Sequence, residues 1–100
     1  MEHVVVTTVR LEQRILKELD RLAEEGDSDR TTVLKQALKL GVKEIKLQHA
    51  LTVYQLGEIS VGRAAEIAEI SLWRFLEILK ERKIGFRTDE EDLGRQLKEL

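Results

Sequence analysis

The chain has 100 residues, 42% hydrophobic and 36% charged, with no Cys, no Pro and a net charge of −2. That length holds one small domain or two very small modules, and a monomer of this size buries only a modest share of its surface. Without Cys there is no disulfide, no thiolate zinc site and no cysteine nucleophile.

The longest apolar run is Val4–Val6, too short for a membrane span or a secretory leader. A reduced, cytoplasmic protein that avoids membranes is expected, and the complete lack of Asn is a compositional hint of a thermophile. Catalysis finds little support. His3 and His49 are the only histidines, no glycine-rich phosphate loop occurs, and Ser28, Ser60 and Ser71 each stand where a helix would begin. No catalytic residue, metal site or cofactor is expected. The charge is unevenly spread: residues 30–48 hold Arg30, Lys35, Lys39, Lys43 and Lys46 against Glu44 alone, a balance of +4. Phosphates could be met there.

Residues 3–11 read His-Val-Val-Val-Thr-Thr-Val-Arg-Leu, β-branched and the only convincing strand. Nothing later in the chain offers it a partner, and a lone strand leaves its backbone groups unsatisfied. Antiparallel pairing with the same strand of a second chain about a two-fold axis solves this. Val5, Thr7, Val9 and Leu11 would then share the inner face, with Val5, Val9 and Leu11 as dimer core. Val4, Val6, Thr8 and Arg10 would face outward.

Glu12–Glu25 is predicted helical, with Ile15, Leu16, Leu19, Leu22 and Ala23 on one stripe. Gly26 and Asp27 end it. Asp29 is a good N-cap for a second helix carrying Val33, Leu34, Ala37, Leu38 and Leu40, with Lys35, Lys39 and Lys43 aligned opposite.

Strand, helix, Gly-containing turn and capped helix over residues 4–44 resemble the ribbon-helix-helix (MetJ/Arc) fold of DNA-binding repressors. The stretches that carry the likeness are Thr7–Leu11, Leu16–Glu25 and Asp29–Leu38. One departure is Glu12, where the family often has Pro or Ser; a glutamate in a first helical turn suits the helix dipole. The resemblance implies a mainly α homodimer whose two-stranded ribbon lies in the major groove of double-stranded DNA. Base edges would be met by Val6, Thr8 and Arg10: Arg10 suits guanine, Thr8 bonds either way, and Val6 offers only apolar contact. Arg30 and Thr31, at the start of the second helix, would meet a phosphate.

Residues 45–100 form a second expected module. The apolar pattern from Ile45 to Leu56 carries the second helix toward Gly57, either straight or kinked near Gly41. Ser60 then caps a short alanine-rich helix and Ser71 caps another bearing Leu72, Trp73, Phe75, Leu76, Ile78 and Leu79, a helix-turn-helix shape. The exposed start of that last helix offers Leu72, Trp73, Arg74 and, one turn on, Glu77; two apolar residues and a carboxylate suit a protein surface better than a DNA groove. Trp73 is either an interface anchor or ordinary core. Thr88 and Glu91 have capping-box spacing, and Leu93, Leu97 and Leu100 make a short apolar stripe.

The string Ala50-Leu51, Tyr54, Gly57, Ile59-Ser60, Gly62, Ala64-Ala65-Glu66, Ala68, Ser71, Trp73, Phe75, Glu77, Leu79, Glu81, Ile84 and Glu91-Asp92-Leu93 resembles a small uncharacterised UPF-type family. Its members look like antitoxins whose genes lie beside those of PIN-domain ribonuclease toxins. The resemblance implies an antitoxin of a type II toxin-antitoxin pair: 1–44 for dimerisation and DNA binding, 45–100 for the toxin. Trp73, Arg87, Leu93, Arg95 and Leu97 are the candidate toxin contacts. A stand-alone ribbon-helix-helix transcriptional regulator, or an assembly protein that never touches DNA, are the alternatives.

Overall fold

The computed structural model describes residues 3–85. Four α-helices appear among them: α1 (Gln13–Glu25), α2 (Arg30–Gln55), α3 (Val61–Ala68) and α4 (Leu72–Glu81). Two compact units are distinguished, Met1–Lys39 and Leu40–Leu100. The division falls inside α2, ahead of the 44/45 boundary expected from the sequence.

The strand expected over residues 3–11 is not present as a strand. No β-ladder occurs among the described residues, and residues 3–12 belong to no regular element. The physical reason is the one that makes the sequence unusual: a ladder needs a second strand, and one copy has none.

In the first unit, Glu12 sits in extended backbone (φ −63°, ψ 141°) as the N-cap of α1. Its carbonyl accepts the Ile15 and Leu16 N–H groups at 3.0 and 3.2 Å. Of the apolar stripe, Leu19 and Ala23 are buried and Leu16 half-buried, while Ile15 and Leu22 stay exposed. The helix ends in a Schellman motif: Ser28 N–H donates to the Ala23 carbonyl at 2.7 Å and Asp27 N–H to Glu24 at 3.2 Å. The left-handed step falls on Asp27 (φ 50°) rather than on Gly26 (φ −98°). Ser28 is therefore part of this stop and not an N-cap, contrary to expectation. The cap of α2 is Asp29, whose Oδ1 accepts the Thr32 N–H at 2.8 Å.

Helix α2 runs unbroken through Gly41 to Gln55, so no kink forms there. In the second unit its residues Ala50, Leu51 and Tyr54 join Val61, Ala64, Ala65 and Ala68 of α3 and Phe75, Ile78 and Leu79 of α4 in one core. Phe75 and Leu79 are fully buried, and the Phe75 ring meets Tyr54 edge-on at 5.9 Å between centroids. The alanines on α3 let it approach closely. Ser60 and Ser71 cap α3 and α4 as expected, their Oγ atoms accepting the Arg63 and Arg74 N–H groups, each at 3.1 Å. Between α3 and α4 lies the short turn Glu69–Ser71, giving the expected helix-turn-helix outline. Two ion pairs tie the second half of α2 to this module, Lys46–Glu69 at 2.9 Å and Glu44–Arg82 at 3.6 Å.

Candidate nucleic-acid interface

The N-terminal segment is apolar yet open to solvent. Val4 and Val6 are 98% and 92% exposed, whereas Val5, Val9 and Leu11 are 76%, 67% and 37% exposed. All of residues 3–11 are exposed, on both faces of the alternation read from the sequence. Five large apolar side chains left in water within eight residues is a surface that monomeric proteins rarely keep.

Thr8 and Arg10 are exposed on the same parity as Val6. Among the described residues neither has an ion pair or a side-chain hydrogen bond, so both are available to an outside partner. Arg10 in particular keeps all five guanidinium donors for a ligand.

The start of α2 is differently arranged. The Arg30 guanidinium is held by Asp20 of α1 in a two-pronged pair, Nε to Oδ1 and Nη2 to Oδ2, both at 2.7 Å. The hydrogen bond from Arg30 holds the Asp20 carboxyl below its ordinary value, and the same bond raises Arg30. Asp29 is also held low, first by the Thr32 backbone N–H and then by the Thr32 side chain. One carboxylate therefore caps the helix N-terminus where a phosphate was expected, and a second occupies its arginine. Thr31 is exposed beside them and has no side-chain partner among the described residues. Lys35, Lys39 and Lys43 are exposed along the helix, so the basic stripe faces solvent.

Asp20 was not legible as the partner of Arg30. Their ten-residue separation crosses from one helix to the next, and no spacing rule within a helix signals such a pair.

Trp73, on α4, is 56% exposed and lines a groove together with Leu76, Leu79 and Ile84. It is thus a surface aromatic and not ordinary core. Arg87, Leu93, Arg95 and Leu97 lie outside the described residues. No group of three or more His, Cys, Asp or Glu side chains able to hold a metal ion occurs among the described residues, and no helix there is long and apolar enough to cross a membrane.

Residues 5–44 match the family model described as ribbon-helix-helix protein, copG family; ribbon-helix-helix domains bind DNA as dimers. Residues 28–100 match the model described as uncharacterised protein family UPF0175, so the two matches overlap on the first half of α2. Among curated proteins, a UPF0175 protein of Archaeoglobus fulgidus is 38% identical over 55 residues, covering 55% of this chain and 63% of that protein. Two UPF0175 proteins of Aeropyrum pernix are 38% and 39% identical over 55 and 56 residues, with 62% and 71% of their lengths covered. The chain thus spans less than two thirds of the first two relatives. No solved structure matches it. With the model matched over 28–100 and a relative 39% identical across 71% of its own length, the chain belongs to the uncharacterised protein family UPF0175.

Proposed function

We propose that the chain is the antitoxin of a type II toxin-antitoxin pair, binding operator DNA as a homodimer and restraining a PIN-domain ribonuclease toxin through its C-terminal half. The observation that carries the DNA half is the solvent-exposed segment of residues 4–11, alternating in sequence and without a ladder partner among the described residues. Pairing with a second copy covers Val5, Val9 and Leu11 and turns Val6, Thr8 and Arg10 outward toward base edges. The exposed lysines of α2 supply positive charge for the phosphate backbone. Thr31 takes a phosphate with them, and Arg30 is free to do so only where Asp20 is removed. The work divides near residue 44, with 1–44 for dimerisation and DNA and 45–100 for the toxin.

The toxin half rests on the family match and on Trp73. A half-exposed tryptophan beside an apolar groove is the kind of anchor that dominates a protein interface. Arg87, Leu93, Arg95 and Leu97 complete the proposed contact surface.

A band-shift series against the DNA upstream of its own gene tests the first half. Arg10→Ala and Thr8→Ala should remove the sequence-specific shift while the dimer persists on a sizing column. A variant that still binds that DNA like the parent refutes the ribbon assignment. Co-purification with the product of the neighbouring gene tests the second half. Trp73→Ala should lose the partner without losing the DNA shift, and full retention of the partner removes Trp73 from the interface. A chain that binds its upstream DNA but pulls down no neighbour is a stand-alone regulator.

A further inference from the structure

The basic residues among the first 29 are Arg10, Arg14, Lys17 and Arg21, at spacings of four, three and four. The last three fall on α1 at i, i+3 and i+7, which puts them on one side of the helix. That side forms an open groove of about 500 Å³ lined by Gln13, Arg14, Lys17, Glu18 and Arg21, with no apolar side chain among them. Lys17 and Arg21 have no ion pair or side-chain hydrogen bond among the described residues. Arg14 meets Glu12 at 3.6 Å, but these side chains are 80% and 72% exposed, and so open a pair holds its arginine weakly.

The start of α2 is the opposite case. Of the arginines in the first unit, Arg30 alone is tied down by two short bonds, to Asp20, and the helix N-terminus beside it is capped by Asp29. Resting on the DNA-binding reading above, we propose that the outer face of α1, through Arg14, Lys17 and Arg21, is a phosphate-binding surface for duplex DNA that follows on from Arg10.

Two physical arguments favour DNA over an acidic protein as the occupant. Protein interfaces deplete lysine and other charges at their centres and place apolar and aromatic side chains there; this groove has none. Interfaces with DNA are polar and strongly positive, and here three cations face the single carboxylate of Glu18. The length also fits. Arg14 to Arg21 spans about 10 Å along the helix axis, over which one strand of a duplex presents about three phosphates at about 3.4 Å each. Phosphate contacts position a protein without reading sequence, so this face adds affinity on every duplex, while base discrimination stays with the ribbon. Glu18 repels the same phosphates and limits the gain.

The experiment measures the affinity of the full-length chain, over a salt series, for its upstream DNA and for a duplex of random sequence. Lys17→Gln/Arg21→Gln should weaken both to the same extent and leave their ratio unchanged. It should also flatten the plot of log affinity against log salt by about two units per bound chain. Glu18→Gln should tighten binding to both duplexes several-fold. All three side chains are exposed, and circular dichroism checks that the helices persist; should the double variant unfold, Glu18→Gln decides alone, and unchanged affinity overturns the proposal. A parent chain that binds neither duplex removes the DNA reading and this surface together. A parent that binds, with a double variant of equal slope, overturns the surface alone. A double variant that keeps its slope but no longer co-purifies with the neighbouring gene's product assigns the face to an acidic protein and overturns the proposal equally.

Discussion

Asp20 of α1 grips Arg30, the first residue of α2, through both carboxylate oxygens at 2.7 Å. The pair closes the turn between the two helices and uses the guanidinium that would otherwise be free for phosphate. In DNA binding this makes Asp20 a brake. Asp20→Asn should tighten binding to non-specific duplex and make the logarithm of affinity fall more steeply with the logarithm of salt, by about one unit per phosphate gained. Arg30→Ala in the native background should change that slope little. A large loss of slope on Arg30→Ala would show that the arginine leaves Asp20 when DNA arrives.

The same turn should be acid-sensitive. Asp20 and Asp29 both have folded values below the ordinary 3.8, so each stabilises the fold above that pH. The contribution drains away as pH falls from about 3.8 through the lower folded values, because the unfolded chain then binds protons the native turn resists. Urea midpoints should therefore decline in that window, and the decline should be shallower in Asp20→Asn. An identical pH profile in the variant would remove Asp20 from the account.

Three of the four helices stop on a charged residue in the left-handed region: Asp27 (φ 50°), Glu69 (φ 59°) and Lys83 (φ 57°); only Gly57 (φ 80°) closes α2 without a Cβ. In each case the following N–H reaches back to close the motif: Ser28 to Ala23, Ile70 to Ala65 and Ile84 to Leu79. That conformation costs an L-residue about 1 kcal/mol. Asp27→Gly and Lys83→Gly should each raise stability by about 0.5–1 kcal/mol, read as a higher urea midpoint at unchanged slope. Gly57→Ala should lower it by a similar amount. A loss of stability in both glycine variants would mean that the charged side chains do more than tolerate the turn.

Gly41 sits in the interior of α2, and a Cβ placed on it meets nothing within 4 Å. Gly41→Ala should therefore stabilise by roughly 0.5–1 kcal/mol, through helix propensity alone. For a domain of this size that corresponds to a melting point higher by about 2–8 °C. A lower melting point would be informative too, since it would require a second chain to approach the helix closely at that point.

Much of the architecture could be read from the residues. The α1 stripe placed Leu19 and Ala23 correctly in the interior, and Ser60 and Ser71 announced their helices because a hydroxyl at an N-cap has a local geometric reason to be there. What escaped was set by contacts rather than by spacing. Gly26 and Asp27 mark the stop in the sequence, but which of them takes the left-handed step is set by the register of the Schellman bonds, and it is Asp27. Arg30, at the start of the second helix, is implied by the ribbon-helix-helix resemblance as a phosphate ligand; the partner it has comes from α1. Trp73 carried no signal deciding between core and surface, because apolar residues crowd both sides of α4. The ribbon stands apart from these: its alternation is legible in the sequence, while its pairing is a property of two chains.

Helix α2 supplies side chains to both compact units, and no linker separates them. A continuous helix propagates order turn by turn, each hydrogen bond resting on the previous one. Heat should accordingly melt the two halves in one transition, and a ligand that steadies residues 30–39 should slow amide hydrogen exchange at Ala50, Leu51 and Tyr54.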